Sequence, residues 1–168
     1  MKKLIVLFSL FLLSISAKAG EGDTYISVSG GILHYNAVSA EVAFEKTLAY
    51  HNAYEIGLDY YNQVFSHPKD SLGNEINRHA LLFQGAYKYN LVRYKNANLR
   101  FRLAGGIGVD DREHFTCSVT PGFEYTYTTE VGLQLFVQEK TQFSFWSSNK
   151  SWFRVGVMIG VKIPLSWH

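Results

Sequence analysis

From Trp152 to Trp167 the chain reads as two interleaved sequences. Phe153, Val155, Val157, Ile159, Val161, Ile163, Leu165 and Trp167 are apolar, and between them stand Arg154, Gly156, Met158, Gly160, Lys162, Pro164 and Ser166. A period of two is the mark of a strand whose faces meet different surroundings. The same template predicts eight strands: about Thr24 to Leu33, Ser39 to Leu48, Ala53 to Gln63, Arg78 to Leu91, Asn98 to Val109, Ser118 to Tyr127, Val131 to Lys140 and Trp152 to Leu165.

Sorting each strand by parity repeats the split. One face carries Ile26, Val28, Val42, Phe44, Ile56, Leu58, Leu81, Phe83, Leu103, Ile107, Phe123, Val131, Leu133, Leu135 and Val137. The other is small or charged: Glu41, Glu45, Glu55, Asp59, Gln84, Lys88, Arg100, Arg102, Glu124, Gln134, Arg154 and Lys162, with glycines at 31, 57, 106, 108, 122, 132, 156 and 160. The connections alternate as well. Ala49 to Asn52, Val92 to Ala97 and Thr128 to Glu130 are tight, whereas Val64 to Asn77, Asp110 to Cys117 and Thr141 to Ser151 are long; the first connection, His34 to Val38, is short. Short turns on one rim and long loops on the other is the layout of an outer-membrane barrel.

The alternation alone also suits a soluble barrel with its apolar face inward. The polar face favours the membrane alternative. On a solvated exterior, so many glycines would weaken strands without benefit; in a narrow lumen they make room for the long charged side chains. Six acidic positions, counting Glu130 at a strand edge, face Lys88, Arg100, Arg102, Arg154 and Lys162, so the charges can pair. Tyr54, Tyr60, Tyr87, Tyr89, Tyr125, Tyr127, Trp152 and Trp167 fall toward strand ends, where aromatic girdles sit. The expected fold is therefore all-β: an eight-stranded antiparallel up-and-down transmembrane β-barrel with a plugged polar interior. A ring of this size is filled by its own side chains and is no general porin.

The opening residues, MKKLIVLFSLFLLSISAKAG, have the parts of a secretory signal: basic Lys2 and Lys3, an apolar run from Leu4 to Leu13, and Ala17-Lys18-Ala19 as a small-x-small cleavage site. The run is about half of the ~20 residues of a spanning helix. Residues 1–19 are expected to be removed, leaving residues 20–168 as a single barrel domain directed to the outer membrane of a Gram-negative bacterium. Lys2, Lys3 and Lys18 leave with the signal, so the formal charge of +2 gives way to 13 basic against 14 acidic residues. No basic field for nucleic acid survives. Cys117 is the lone cysteine, which excludes an internal disulfide.

Small barrels include lipid-modifying enzymes, and their chemistry needs an activated nucleophile. Lipid A deacylases carry His-x-Ser-Asn near the chain end; here Trp146-Ser147-Ser148-Asn149 has tryptophan at the position of the base. His34, His114, Asp110 and Asp111 are the remaining candidates for a catalytic or metal-binding set on the long-loop rim, and nothing in their spacing is specific. No catalytic, cofactor-binding or metal residue is assigned, and no cofactor is expected.

In order along the chain, Tyr54-Glu55-Ile56-Gly57-Leu58-Asp59-Tyr60-Tyr61, Phe83-Gln84-Gly85-Ala86-Tyr87-Lys88-Tyr89, Leu103-Ala104-Gly105-Gly106-Ile107-Gly108, Val137-Gln138-Glu139-Lys140 before Phe145-Trp146-Ser147-Ser148, and Phe153-Arg154-Val155-Gly156-Val157-Met158-Ile159-Gly160-Val161-Lys162 resemble the TraO family of conjugative-transposon proteins. The resemblance spans about Ala53 to Ile163. It implies a non-enzymatic component of a conjugation apparatus in the outer membrane, with lipid and other apparatus proteins as partners, no direct binding of nucleic acid, and no residue-level role. The alternatives are a barrel that serves adhesion or envelope maintenance, and a lipid A-modifying enzyme.

Overall fold

A computed structural model describes residues 22–34, 37–63, 79–110, 114–145 and 153–165. The signal segment, Trp152, Trp167, the Val64 to Asn77 connection and Trp146 to Asn149 lie outside the described residues. Eight strands run in chain order: β1 (Thr24–Leu33), β2 (Ala37–Thr47), β3 (Ala53–Gln63), β4 (His79–Tyr94), β5 (Ala97–Asp110), β6 (Phe115–Thr128), β7 (Gln134–Phe145) and β8 (Phe153–Pro164). Each pairs antiparallel with its predecessor, and β8 returns to β1 with Tyr25 opposite Pro164 and Leu33 opposite Gly156. The result is a closed up-and-down barrel with no free edge.

Period-two sequence becomes period-two exposure. Along β8, Met158 is fully buried and its neighbour Ile159 is 65 % exposed; along β6, Glu124 is fully buried and Tyr125 is 50 % exposed. The exposed side is the apolar one. Val28, Val42, Phe83, Leu103, Phe123 and Leu135 look outward, while the carboxylates, ammonium groups and guanidinium groups look toward the axis. That is the inverse of a soluble protein, in which charged residues are almost never fully buried unless paired.

Closure around so small a ring needs sharp bends, and inward glycines supply them. At Gly108 a Cβ would collide with the carbonyl of Leu81 on β4, so the strand can coil there only without a side chain. At Gly160 the space is taken by the ring of Phe136, its partner on β7, which turns inward and covers the bare backbone.

The predicted strands need five corrections, the first being that β4 runs on to Tyr94, three residues past Leu91. Glu130 to Leu133 belong to the β6–β7 turn, so Glu130 is exposed and contributes no lumen charge, Val131 does not span, and Gly132 has φ 82 as a turn residue. β7 instead continues to Phe145, so the long loop after it starts later than Thr141. The β5–β6 connection shrinks to residues 111–114 because Phe115, Thr116 and Cys117 already pair with β5. β2 starts two residues early, at Ala37, in register with Gln63.

Candidate functional site

The lumen is where the chain concentrates its chemistry. Among the described residues, Glu41, Glu45, Glu55, Asp59, Asp110 and Glu124 are buried in it against Lys88, Arg100, Arg102, Lys140, Arg154 and Lys162, six acids for six bases. Each comes from the inward parity of its strand, and the ring brings together residues far apart in sequence. Equal numbers matter because an unpaired charge in such a place costs several kcal/mol, about as much as a small domain's whole stability margin can bear.

Toward the rim that carries the termini, Lys88 of β4 is the hub. Its Nζ donates to Glu45 Oε2 at 2.6 Å, Glu55 Oε2 at 2.7 Å and Glu124 Oε2 at 2.6 Å, using all three ammonium hydrogens. Lys162 reaches across from β8 to Glu45 at 2.7 Å and Glu124 at 2.5 Å. Arg100 adds a bond to Glu45 at 2.9 Å. Phe136 underlies the cluster, with Lys162 Nζ 5.0 Å and Lys88 Nζ 6.0 Å from its ring centroid, within cation–π range.

Glu55 links this cluster to a second one nearer the opposite rim. Arg102 Nη2 donates at 2.7 Å both to Glu55 and to Glu41. Lys140 of β7 then meets Asp59 of β3 at 2.7 Å, and Ser39 bridges them, accepting from Lys140 at 3.0 Å and donating to Asp59 at 2.7 Å. β3 and β7 stand four strands apart in the ring, so this contact crosses the full lumen. Above it Leu33, Ala37 and Tyr61 form a small apolar cluster, and the Arg154 guanidinium stacks on the Tyr61 ring at 3.7 Å.

This arrangement ties the walls together. Glu45, Glu55 and Glu124 bring carboxylate oxygens within 4.8 Å of one another, a spacing suited to a divalent cation, but the Lys88 ammonium sits among them and supplies the positive charge itself. Of the rim candidates, His114 is exposed and lies 3.7 Å from Asp110, whose Oδ1 accepts from the His114 backbone amide at 3.1 Å. His34 follows β1, four strands around the ring from β5, and its backbone amide donates to the Val155 carbonyl at 2.6 Å. Asp111 falls outside the described residues. On the terminal rim, His51 is held below the ordinary histidine range, first by partial burial and then by the guanidinium of Arg93 lying against its ring.

Parity located ten of the twelve buried charges; Lys140 and Asp110 were missed. Both share the inward parity of their strands, Lys140 with Gln134 and Asp110 with Arg102; Lys140 closes the predicted Val131 to Lys140 strand and Asp110 follows Val109 by one residue, so carrying parity through to the strand ends finds both.

No protein-family model matches the sequence, and no curated protein matches it. Among solved structures, one described as "De novo design of transmembrane beta-barrels" is similar, with 14 % identity, a TM-score of 0.52, and coverage of 88 % of this chain and 99 % of its own. At that identity the likeness shows a shared fold, the small eight-stranded barrel.

Proposed function

We propose that the protein spans the outer membrane of a Gram-negative bacterium as a sealed barrel and acts, without chemistry of its own, as a structural or docking component of a conjugative DNA-transfer apparatus. The observation that carries the membrane part is the inverted burial: an exterior of Ile, Val, Leu, Phe and Tyr around a lumen of twelve paired or partnered charges. Hydrocarbon is the solvent in which that surface is stable, and a closed ring is the form in which a sheet can enter it. Exposed Tyr87, Tyr89, Tyr94, Tyr125 and Tyr127 near the terminal rim suit the headgroup boundary.

The conjugation part rests on the TraO-like run from Ala53 to Ile163. Ion pairs that cross the lumen make passage of DNA or protein through this ring implausible on size alone, so the contribution to transfer is by contact. Deleting the gene should lower conjugal transfer and leave the acylation of lipid A unchanged. Normal transfer would remove the conjugation reading, and altered lipid A would favour the enzymatic one.

A further inference from the structure

Among the described residues, the outer wall has one mid-strand place that hydrocarbon does not suit. Along β7 the outward residues run Leu135, Val137, Glu139, Thr141, Phe143 and Phe145, so a carboxylate and a hydroxyl interrupt an otherwise apolar stripe halfway along the strand. Glu139 is half-buried, and the Thr141 hydroxyl donates to it. No described cation forms an ion pair with it. An ionisable side chain with apolar neighbours on both sides along a membrane strand is expensive to keep, and such residues mark sites of function.

A second, independent feature falls at the same level. The pairing of β6 with β7 stops at Val119 opposite Phe143 and resumes only at Glu124 opposite Gln138. In that gap sits Pro121, which has no amide hydrogen to give to the ladder. Its neighbours on the other side are intact, since β5 pairs with β6 through Leu103 and Pro121, and β7 pairs with β8 through Glu139 and Val157. The wall is thus polar in its side chains and open in its backbone pairing at one spot. Lipid tails can satisfy neither.

We propose that the outward face around Pro121, Glu139 and Thr141 docks a second membrane-spanning protein whose contact surface carries a basic or amide side chain at that depth. Charge complementarity selects the occupant. Another copy of this chain is unsuited, because its described outward cations, Lys46, Arg93 and Lys95, lie at the terminal rim, and Asn62 and His79 lie at the opposite ends of their strands, none of them midway along a strand as Glu139 is. A donor from another protein's segment would satisfy the carboxylate beside this break in the ladder. This inference rests on the membrane-spanning reading and adds the site and chemistry of a partner.

The test is photocross-linking in the host's outer membrane. Benzoylphenylalanine replaces Phe123, which faces outward opposite Glu139, and in a control replaces Phe44 on the far wall. The expected result is a discrete protein adduct from position 123, at least fivefold weaker from position 44 and from the Glu139→Leu background, whose cross-linked peptide is a membrane segment containing Lys, Arg, His, Asn or Gln. An adduct with lipid alone, with a second copy of this chain, or with a segment lacking such a residue would overturn the proposal. In vesicles of phosphatidylcholine without any partner, Glu139→Leu should raise the urea midpoint of the isolated barrel; a lower midpoint would make Glu139 structural and also overturn it. Absence of the protein from the outer-membrane fraction would sink the membrane reading itself, an outcome distinct from all of these.

Discussion

Lys88 shows how a single residue can hold a wall together from inside. Three carboxylates from β2, β3 and β6 converge on its ammonium group, and without it they would face one another with only Lys162, Arg100 and Arg102 to offset them. Lys88→Met keeps the length of the side chain and removes the charge. It should destabilise the barrel by about 3–5 kcal/mol, the usual result of breaking a buried pair from one side. Urea unfolding in lipid vesicles measures this, and adding Glu124→Gln should recover part of the loss because one unpaired carboxylate disappears. A change within ~0.5 kcal/mol, as at an ordinary surface site, would mean that the cluster is wet and screened. The inward placement of Lys88, Glu45, Glu55 and Glu124 was legible from parity alone. Their convergence on one atom was not, because a period of two gives the face of a residue but neither its height nor its partner across the ring.

At the scale of elements, β7 is where sequence and structure part. Alternation runs through Val131 and Leu133 into Leu135 and so suggests an early start, but Gly132 at φ 82 and the bond from Gly132 N to the Thr129 carbonyl at 3.0 Å bend this segment into a turn. At the other end Glu139 and Thr141 occupy the apolar parity and mimic a strand ending. The strand nevertheless continues, because Thr141, Gln142 and Phe143 pair with Val155, Arg154 and Phe153 of β8. Periodicity misleads about a strand's end where polar side chains occupy the apolar parity. A cysteine pair checks the reassignment: in intact outer membranes a water-soluble maleimide should modify Val131→Cys and spare Phe143→Cys. The reverse pattern, Val131→Cys spared and Phe143→Cys modified, would restore the limits that alternation alone suggests.

The whole molecule combines a sealed lumen with an apolar jacket. The Lys140–Asp59 contact and the Lys162–Glu45–Lys88 bridge cross the lumen at two levels, so planar bilayers containing the protein should show no steady ion conductance; persistent open-channel steps would show that the plug is not closed. The barrel class, strand number and inverted polarity were legible in the sequence because a strand exposed to lipid on one face must alternate along its whole length. The central claim is that the apolar stripe meets hydrocarbon, and β8 tests it most directly. Single cysteines from Phe153 to Pro164 would carry a fluorophore in a cysteine-free background, with a quencher attached to the acyl chains of the surrounding vesicle. Odd positions such as 155, 157, 159 and 161 should be strongly quenched and even positions 154, 158 and 162 spared. Quenching without alternation, or a protein that stays monomeric in detergent-free buffer with the odd positions shielded in a dry interior, would contradict the account.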